Sequence, residues 1–325
     1  MPELPEVHTT ATILNKLVKG LIIKDVWTDY ESSYHADKNN IKNPNYFKQF
    51  KKEILGKKIS AVYRRGKNVL FDLSGGITAL AHMKMTGHFL YGTYRKISNS
   101  PNYLISNKIP NHKSQTKEKQ GEWEAVEPET LKDPFNSFIH LVFTFSNGKH
   151  LAFSDMRKFA KVIYFETARK DLLSDLSQLG PEPLAENFSL KIFRERLCSR
   201  PNEKVKQVLL DQEVISGIGN IYSDEILWGA EIHPLSLVKN IPGKVLHKIF
   251  NSTKKLLKAG IKAGGDSMSD FRNPYGEKGN FQNFHKAYRR AGENCPKRGC
   301  GGKIKRIVIA TRSAHYCDKH QQLFK

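Results

Sequence analysis

The chain has 325 residues, long enough for two domains with separate cores. Its 53 lysines and arginines stand against 32 acids, a formal net charge of +21, and the basic residues are spread along the whole length. That balance points to a polyanion, with a ribosome-associated protein as the bland alternative; the lack of any run near the roughly 20 apolar residues needed to span a bilayer, or of a leader pattern, predicts a soluble intracellular protein with no membrane partner.

Residues 6–19 carry Val7, Ala11, Leu14 and Val18 at helical spacing and end at Gly20, which predicts one helix with a glycine cap. Residues 21–30, 59–65, 68–73, 77–83, 138–145 and 160–165 are short, β-branched or aromatic, and bounded by Gly, Asn or Ser, which predicts a sandwich of antiparallel strands. Between them, residues 94–134 form a polar run without periodicity, expected to be a surface insertion, partly disordered. From Asp171 the texture turns helical, over residues 172–179, 190–198, 205–215, 222–231 and 245–263, and a loop rich in Gly, Ser and Asn follows at 264–283. The expected fold is α+β in three parts: a sandwich with a flanking helix (1–168), a helical domain (169–283) and a C-terminal hairpin (284–325).

Three constellations carry chemistry. Cys295, Cys300, Cys317 and His320 form two close pairs joined by a hairpin-length spacer, the pattern of one structural tetrahedral zinc ion, with His315 a competitor for the fourth position. Lys303, Lys305, Arg306 and Arg312 lie between the pairs, so the metal would stiffen a basic hairpin. Ser216-Gly217-Ile218-Gly219-Asn220-Ile221-Tyr222 lies between two helical runs, where the glycines allow a tight reversal and Asn220 can both cap the next helix and reach a phosphate. The third is Met1-Pro2-Glu3. A small second residue permits removal of Met1, and the freed secondary amine of Pro2 could attack a sugar carbon to form an iminium, with Glu3 near enough to act as the acid.

Taken together, Met-Pro-Glu-Leu-Pro-Glu-Val at the start, Leu-Leu-Asp-Gln followed by Gly-Ile-Gly-Asn-Ile-Tyr at 209–222, and the Cys/His tail resemble the formamidopyrimidine-DNA glycosylase and endonuclease VIII family over nearly the full length. The resemblance implies a β-sandwich, a helix-two-turn-helix domain and a zinc hairpin that grip double-stranded DNA, in a cytoplasmic, nucleoid-associated repair enzyme acting as a monomer. It implies excision of a damaged base followed by strand nicking at the abasic site. It assigns Pro2 as the Schiff-base nucleophile, Glu3 as its acid partner, Lys67 to β-elimination and Arg312 to δ-elimination. Met85, Arg157 and Phe159 would fill the hole left by the everted base, Arg157 reading the orphaned cytosine. His82, His140, Lys206, Asn220 and Tyr288 would contact DNA phosphates. The loop at 264–283 is similar to one that covers an everted 8-oxoguanine, which implies oxidised and ring-opened purines as substrates rather than the oxidised pyrimidines of the endonuclease VIII branch. A non-catalytic damage-binding protein, or a zinc-stabilised RNA binder, would account for the charge and the tail but not for Pro2, Glu3 and Lys67 together. Thr311 stands where the family commonly has glycine.

Overall fold

The computed structural model describes residues 1–36, 38–97 and 122–325. The N-terminal helix α1 (Leu4–Val18) is followed by β1 (Ile23–Thr28), α2 (Pro44–Ile54), β2 (Ile59–Arg65), β3 (Asn68–Leu73), β4 (Ile77–His82), β5 (His88–Lys96), β6 (Trp123–Glu127), β7 (Ile139–Phe145), β8 (His150–Ser154) and β9 (Lys161–Glu166). These strands make two antiparallel sheets, one ordered β1-β7-β8-β5-β6 and the other β2-β3-β4-β9. Period-two alternation sets the faces: Val69 and Phe71 of β3 meet Phe89 and Phe153 of the other sheet and Val7, Ala11 and Leu14 of α1. Leu70 points the other way and is covered by Leu176.

The sandwich contains elements that the sequence pattern did not predict. Helix α2 is one: Asn43 accepts the amides of Asn45 and Tyr46, Pro44 opens the first turn, and Phe50 and Ile54 are buried. Strands β5, β6 and β8 are others. The expectation of an aperiodic surface insertion over residues 94–134 is corrected at both flanks. Tyr94–Lys96 complete β5, Trp123–Glu127 pair with it antiparallel, and Leu131 is buried with Leu90, Ile139 and Val142 on the outer face of that sheet. The expectation of disorder falls on residues 98–121, which lie outside the described residues.

The remaining elements are α3 (Ser174–Ser177), α4 (Leu190–Cys198), α5 (Val205–Leu210), α6 (Asn220–Gly229), α7 (Gly243–Lys262) and the hairpin β10 (Ile304–Ile309) and β11 (Arg312–Cys317). The helix expected at 172–179 is one turn only, and that at 205–215 stops at Leu210. There Gln212 takes over: its side-chain amide donates to the carbonyls of Leu210 and Ile218 and accepts the Gly217 amide at 2.9 Å, fixing the two turns before α6. A second apolar core, around Phe193, Val208, Ile218, Tyr222, Ile226 and Leu257, includes Leu4 from the start of α1. One helix therefore roots in both cores.

A carboxylate fastens the second connection between these cores. Glu182 holds Arg64 (2.6 Å), Arg65 (3.2 Å) and the Gly66 amide (2.6 Å) at the β2–β3 turn, and Arg65 also reaches Ser216 Oγ at 2.9 Å. The two guanidiniums hold the Glu182 carboxyl below its usual range despite burial. Glu182→Ala should lower stability by about 3 kcal/mol, because it strands two half-buried cations and a buried amide. The midpoint of urea unfolding measures this. Because the folded carboxyl titrates below the unfolded one, the difference should be largest near neutral pH and shrink as the pH falls through the carboxylate range.

Candidate active site and nucleic-acid interface

The site begins at the N-cap of α1. Glu3 is almost fully buried. Its carboxylate accepts the amides of Gly219 (2.8 Å), Ile221 (2.8 Å) and Tyr222 (3.3 Å), so a residue from the start of the chain caps α6 across 216 positions or more. Asn220 does not cap that helix; its side-chain amide instead approaches Ser313 Oγ at 3.4 Å, joining α6 to the hairpin strand β11. The glycines of the 216–222 segment are explained by this docking as much as by the reversal. A Cβ on Gly219 would fall within the Glu3 carboxyl group, and one on Gly217, whose φ is +91°, would lie 2.8 Å from the Leu4 side chain.

Glu6 is a site residue the sequence reading passed over, although its place three residues after Glu3 was a legible signal. It accepts the Glu3 amide at 2.7 Å on one oxygen, and the Tyr222 hydroxyl (3.0 Å) and Asp266 amide (2.7 Å) on the other. Burial, with the neighbouring Glu3 charge, pushes its carboxyl up to about 7. Burial also raises Glu3, against the pull of Lys67 and the helix amides. Lys67, just after the left-handed Gly66 in the β2–β3 turn, is buried and its ammonium is pushed down by desolvation and by Arg312, with Glu3 and Glu6 opposing. A depressed lysine beside two carboxyls is a base in waiting.

A small pocket opens over Pro2. It is lined by Pro2 and Glu6 from α1 and its approach, Met85 and Thr86 after β4, Ile221 of α6, and Asp266, Ser269 and Phe271 of the 264–283 segment. Met85 is half-buried there. His82, at the end of β4, accepts the Lys84 amide on Nδ1 at 3.0 Å, and burial with three nearby lysines (Lys84, Lys67 and Lys161) lowers its pKa to about 3. The ring is thus neutral with its proton on Nε2, a donor suited to a phosphate oxygen.

Arg157 and Phe159 are exposed on the turn after β8, the guanidinium 4.5 Å over the ring. Buried Asp155 holds that turn through Tyr30 (2.9 Å), Thr86 (2.5 Å) and the Ala160 amide (2.9 Å). His140 is 7% exposed and its Nδ1 is bonded to Asp29 at 2.8 Å, which leaves only Nε2 to meet a ligand.

Lys206 departs from its expected role. It is fully buried and ion-paired with Asp224, whose other oxygen accepts the His315 amide (3.0 Å) and meets His315 Nδ1 (2.8 Å). A side chain enclosed in this way reaches no phosphate; it ties α5 and α6 to β11. The same bonds withdraw His315 from competition for the metal. Tyr288 stacks edge-on against His315 with centroids 5.4 Å apart and lies next to Asn220. Glu225 of α6 anchors the approach to the hairpin by accepting the amides of Lys286, Ala287 and Tyr288 at 2.8–2.9 Å.

Arg312 is exposed at the head of β11, presented by a two-residue turn in which Ala310 (φ +44°) and Thr311 (φ +67°) are both left-handed. That is the turn geometry the twist of a hairpin favours, adopted without glycine. At the other end of the hairpin, Cys295, Cys300, Cys317 and His320 bring their ligand atoms within 4.8 Å of one another. The edges of 3.4–3.5 Å between Sγ atoms and His320 Nδ1 suit a tetrahedral ion, whose S–S edges are about 3.8 Å for metal–sulfur bonds of roughly 2.3 Å. His320 turns Nε2 toward the Trp228 carbonyl, which fixes the ring.

A proline at position 2 beside two buried carboxyls and a depressed lysine, set against a helix-two-turn-helix and a hairpin whose Cys/His cluster could hold a metal ion, defines a class of DNA-processing protein. Residues 1–162 match the formamidopyrimidine-DNA glycosylase N-terminal domain, and residues 179–272 match the formamidopyrimidine-DNA glycosylase H2TH domain. The formamidopyrimidine-DNA glycosylase of Bacillus subtilis is 33% identical, with 99% of each chain covered. Among solved structures, a mutant of the Lactococcus lactis protein in complex with Fapy-dG DNA superposes with a TM-score of 0.77 at 30% identity, covering 99% of this chain and 100% of that one. A MutM complex with DNA containing carbocyclic 8-oxo-G gives 0.76 at 30% identity, with the same coverage. The chain belongs to the formamidopyrimidine-DNA glycosylase family.

The raised Glu6 has a measurable consequence. Its folded value of about 7 exceeds the ordinary 4.5, so folding takes up a proton, and the associated stability is full below about 4.5 and lost as the pH rises through 7. Glu6→Gln should abolish a loss on the order of 3 kcal/mol between about pH 4.5 and pH 8, read as a flatter dependence of the urea midpoint on pH than in the parent protein.

Proposed function

We propose that this protein excises oxidised and ring-opened purines from double-stranded DNA and then nicks the abasic product, with Pro2 as the nucleophile. The observation that carries the reading is the seating of Pro2 in a pocket between α1, α6 and the 264–283 loop, next to Glu3, Glu6 and Lys67. Relatives described as bound to Fapy-dG and 8-oxo-G DNA support the substrate class.

While Met1 remains, the Pro2 nitrogen is an amide and unreactive, so its removal is part of the proposal. The freed amine attacks C1′ of the damaged nucleotide; the C1′–base bond breaks and the base leaves with a proton. Glu3 protonates the ring oxygen as the sugar opens, giving an iminium between Pro2 and C1′. Lys67, its ammonium depressed, removes a proton from C2′, and the 3′ phosphate departs; Arg312 assists loss of the 5′ phosphate. Met85, Arg157 and Phe159 occupy the vacated stack, Arg157 facing the opposite base. His82, Asn220, Tyr288 and, through Nε2, His140 hold phosphates. Lys206 has only an indirect part.

In this reading residues 1–168 carry the catalytic machinery, 169–283 the helix-two-turn-helix and the loop over the base, and 284–325 the metal hairpin, working as a monomer on the nucleoid of a bacterial-type cell. The metal is one structural zinc ion held by Cys295, Cys300, Cys317 and His320. It would join the two ends of the hairpin and supply no reacting group.

Borohydride added during reaction with an 8-oxoguanine duplex should trap a covalent adduct that peptide mapping places on Pro2. Pro2→Gly should weaken trapping by tenfold or more, on the order of a lost activated nucleophile. An undiminished adduct on another residue would overturn the assignment. For the metal, elemental analysis should find one zinc per chain, and Cys317→Ser should lower that content and weaken DNA binding together.

A further inference from the structure

Within the glycine- and serine-rich loop at 264–283, one side chain does not suit a solvated cover. Arg272 is 1% exposed, and burying a guanidinium costs several kcal/mol unless it is paired and fully bonded. It is both. Nε and Nη2 meet the two oxygens of Asp133 at 3.0–3.2 Å, Nη1 donates to the carbonyls of Ser269 (3.2 Å) and Phe271 (3.0 Å), and the cation lies 5.0 Å over the ring of Phe135. One residue thus fixes the loop's own backbone at 269–271 and ties it to the segment that follows β6.

Two further contacts repeat the tie. The Tyr91 amide of β5 donates to the Pro274 carbonyl at 2.8 Å, and the Thr130 hydroxyl donates to the Tyr275 carbonyl. Gly276, at φ +82°, packs so closely that a Cβ there would lie 2.6 Å from the Thr130 carbonyl oxygen. The segment around Thr130 is itself fastened to the sandwich: Asn136 donates to the Thr130 carbonyl at 3.1 Å and pairs with buried His88 at 2.9 Å, and Leu131 is buried in the outer face of the sheet.

We propose that residues 128–136 act as a brace for the loop, with Asp133 and Arg272 as positioning residues for base excision. The proposal rests on the reading of residues 264–283 as the cover of the everted base. Ser269 and Phe271, whose carbonyls Arg272 holds, line the pocket over Pro2, so the brace sets the wall against which the base is presented. Ordering the loop before DNA arrives removes an entropy cost from the step that captures the base. Nicking of a site that has already lost its base needs no such wall.

The experiment compares two single-turnover rates in the full-length protein: excision of 8-oxoguanine, and strand nicking at a preformed abasic site. Arg272→Met and Asp133→Asn should each slow excision by about tenfold or more and leave nicking within about twofold. The double variant should be no slower than the worse single one, and Arg272→Lys should not rescue, since an ammonium cannot span Asp133 and two carbonyls. Equal loss in both reactions would mean a general folding role and would overturn the proposal, as would no loss in either. Replacing Met268 and Ser269 at the loop tip by glycine separates the two readings. If the tip variant slows excision while Arg272→Met does not, the cover stands and the brace falls; if neither slows it, the reading of the loop as a cover fails and the brace falls with it.

Discussion

The structure depends on a carboxylate placed at a helix N-terminus from far away in the chain. Glu3 satisfies amides of α6 that no local side chain serves, and it does so from the residue next to the proposed nucleophile. A helix N-terminus carries partial positive charge, so the negative group is held by direct bonds and by the aligned dipoles behind them. The position of Pro2 is therefore set by α6, and the orientation of α6 by Glu3. Leu4, seated in the helical core while Val7 and Leu14 sit in the sandwich, makes the arrangement stiff.

Around that link the protein uses buried carboxylates repeatedly as fasteners between segments distant in sequence. Glu6 gathers α1, α6 and the loop at 266; Glu182 gathers the Lys67 turn and the helical core; Asp224 gathers α5, α6 and β11; Glu225 gathers the chain entering the hairpin. Each accepts from amides or pairs with a cation, as a buried acid must. The strongly basic surface and the acidic interior fasteners divide two tasks: one meets a polyanion, the other fixes the parts that meet it.

Much of this was legible in the sequence, and the pattern of what was missed is physical. Strands β2 and β3 were placed to the residue because their alternation is clean and Gly66 separates them. The Cys/His tail was legible by spacing, and its four ligand atoms do converge, whereas Met1-Pro2-Glu3 and the Gly-Ile-Gly-Asn segment pointed to chemistry only in combination with each other and the tail. Helix α2 was missed although Asn43-Pro44 is a strong start signal, and β5 was missed because its outward face is apolar, buried by Leu131 from a segment read as loop. Lys206 shows the limit of carrying a role by motif: its charge suggested a phosphate, but its partner Asp224 is 18 residues away and invisible to local pattern. Glu6 reads locally as part of a helix start, and only the fold shows that α6 and the loop at 266 converge on it.

The shared root of α1 also bears on how this protein could be taken apart. A cut in the single covalent crossing near residue 170 would yield no pair of autonomous halves. The sandwich fragment would carry Leu4 with nothing to cover it and Glu3 without its amides, while the helical fragment would have an uncapped α6 and an open slot between Gly217 and Gly219. The two fragments would be complements, each supplying what the other lacks, so that mixing them is a route to reassembly through the same slot.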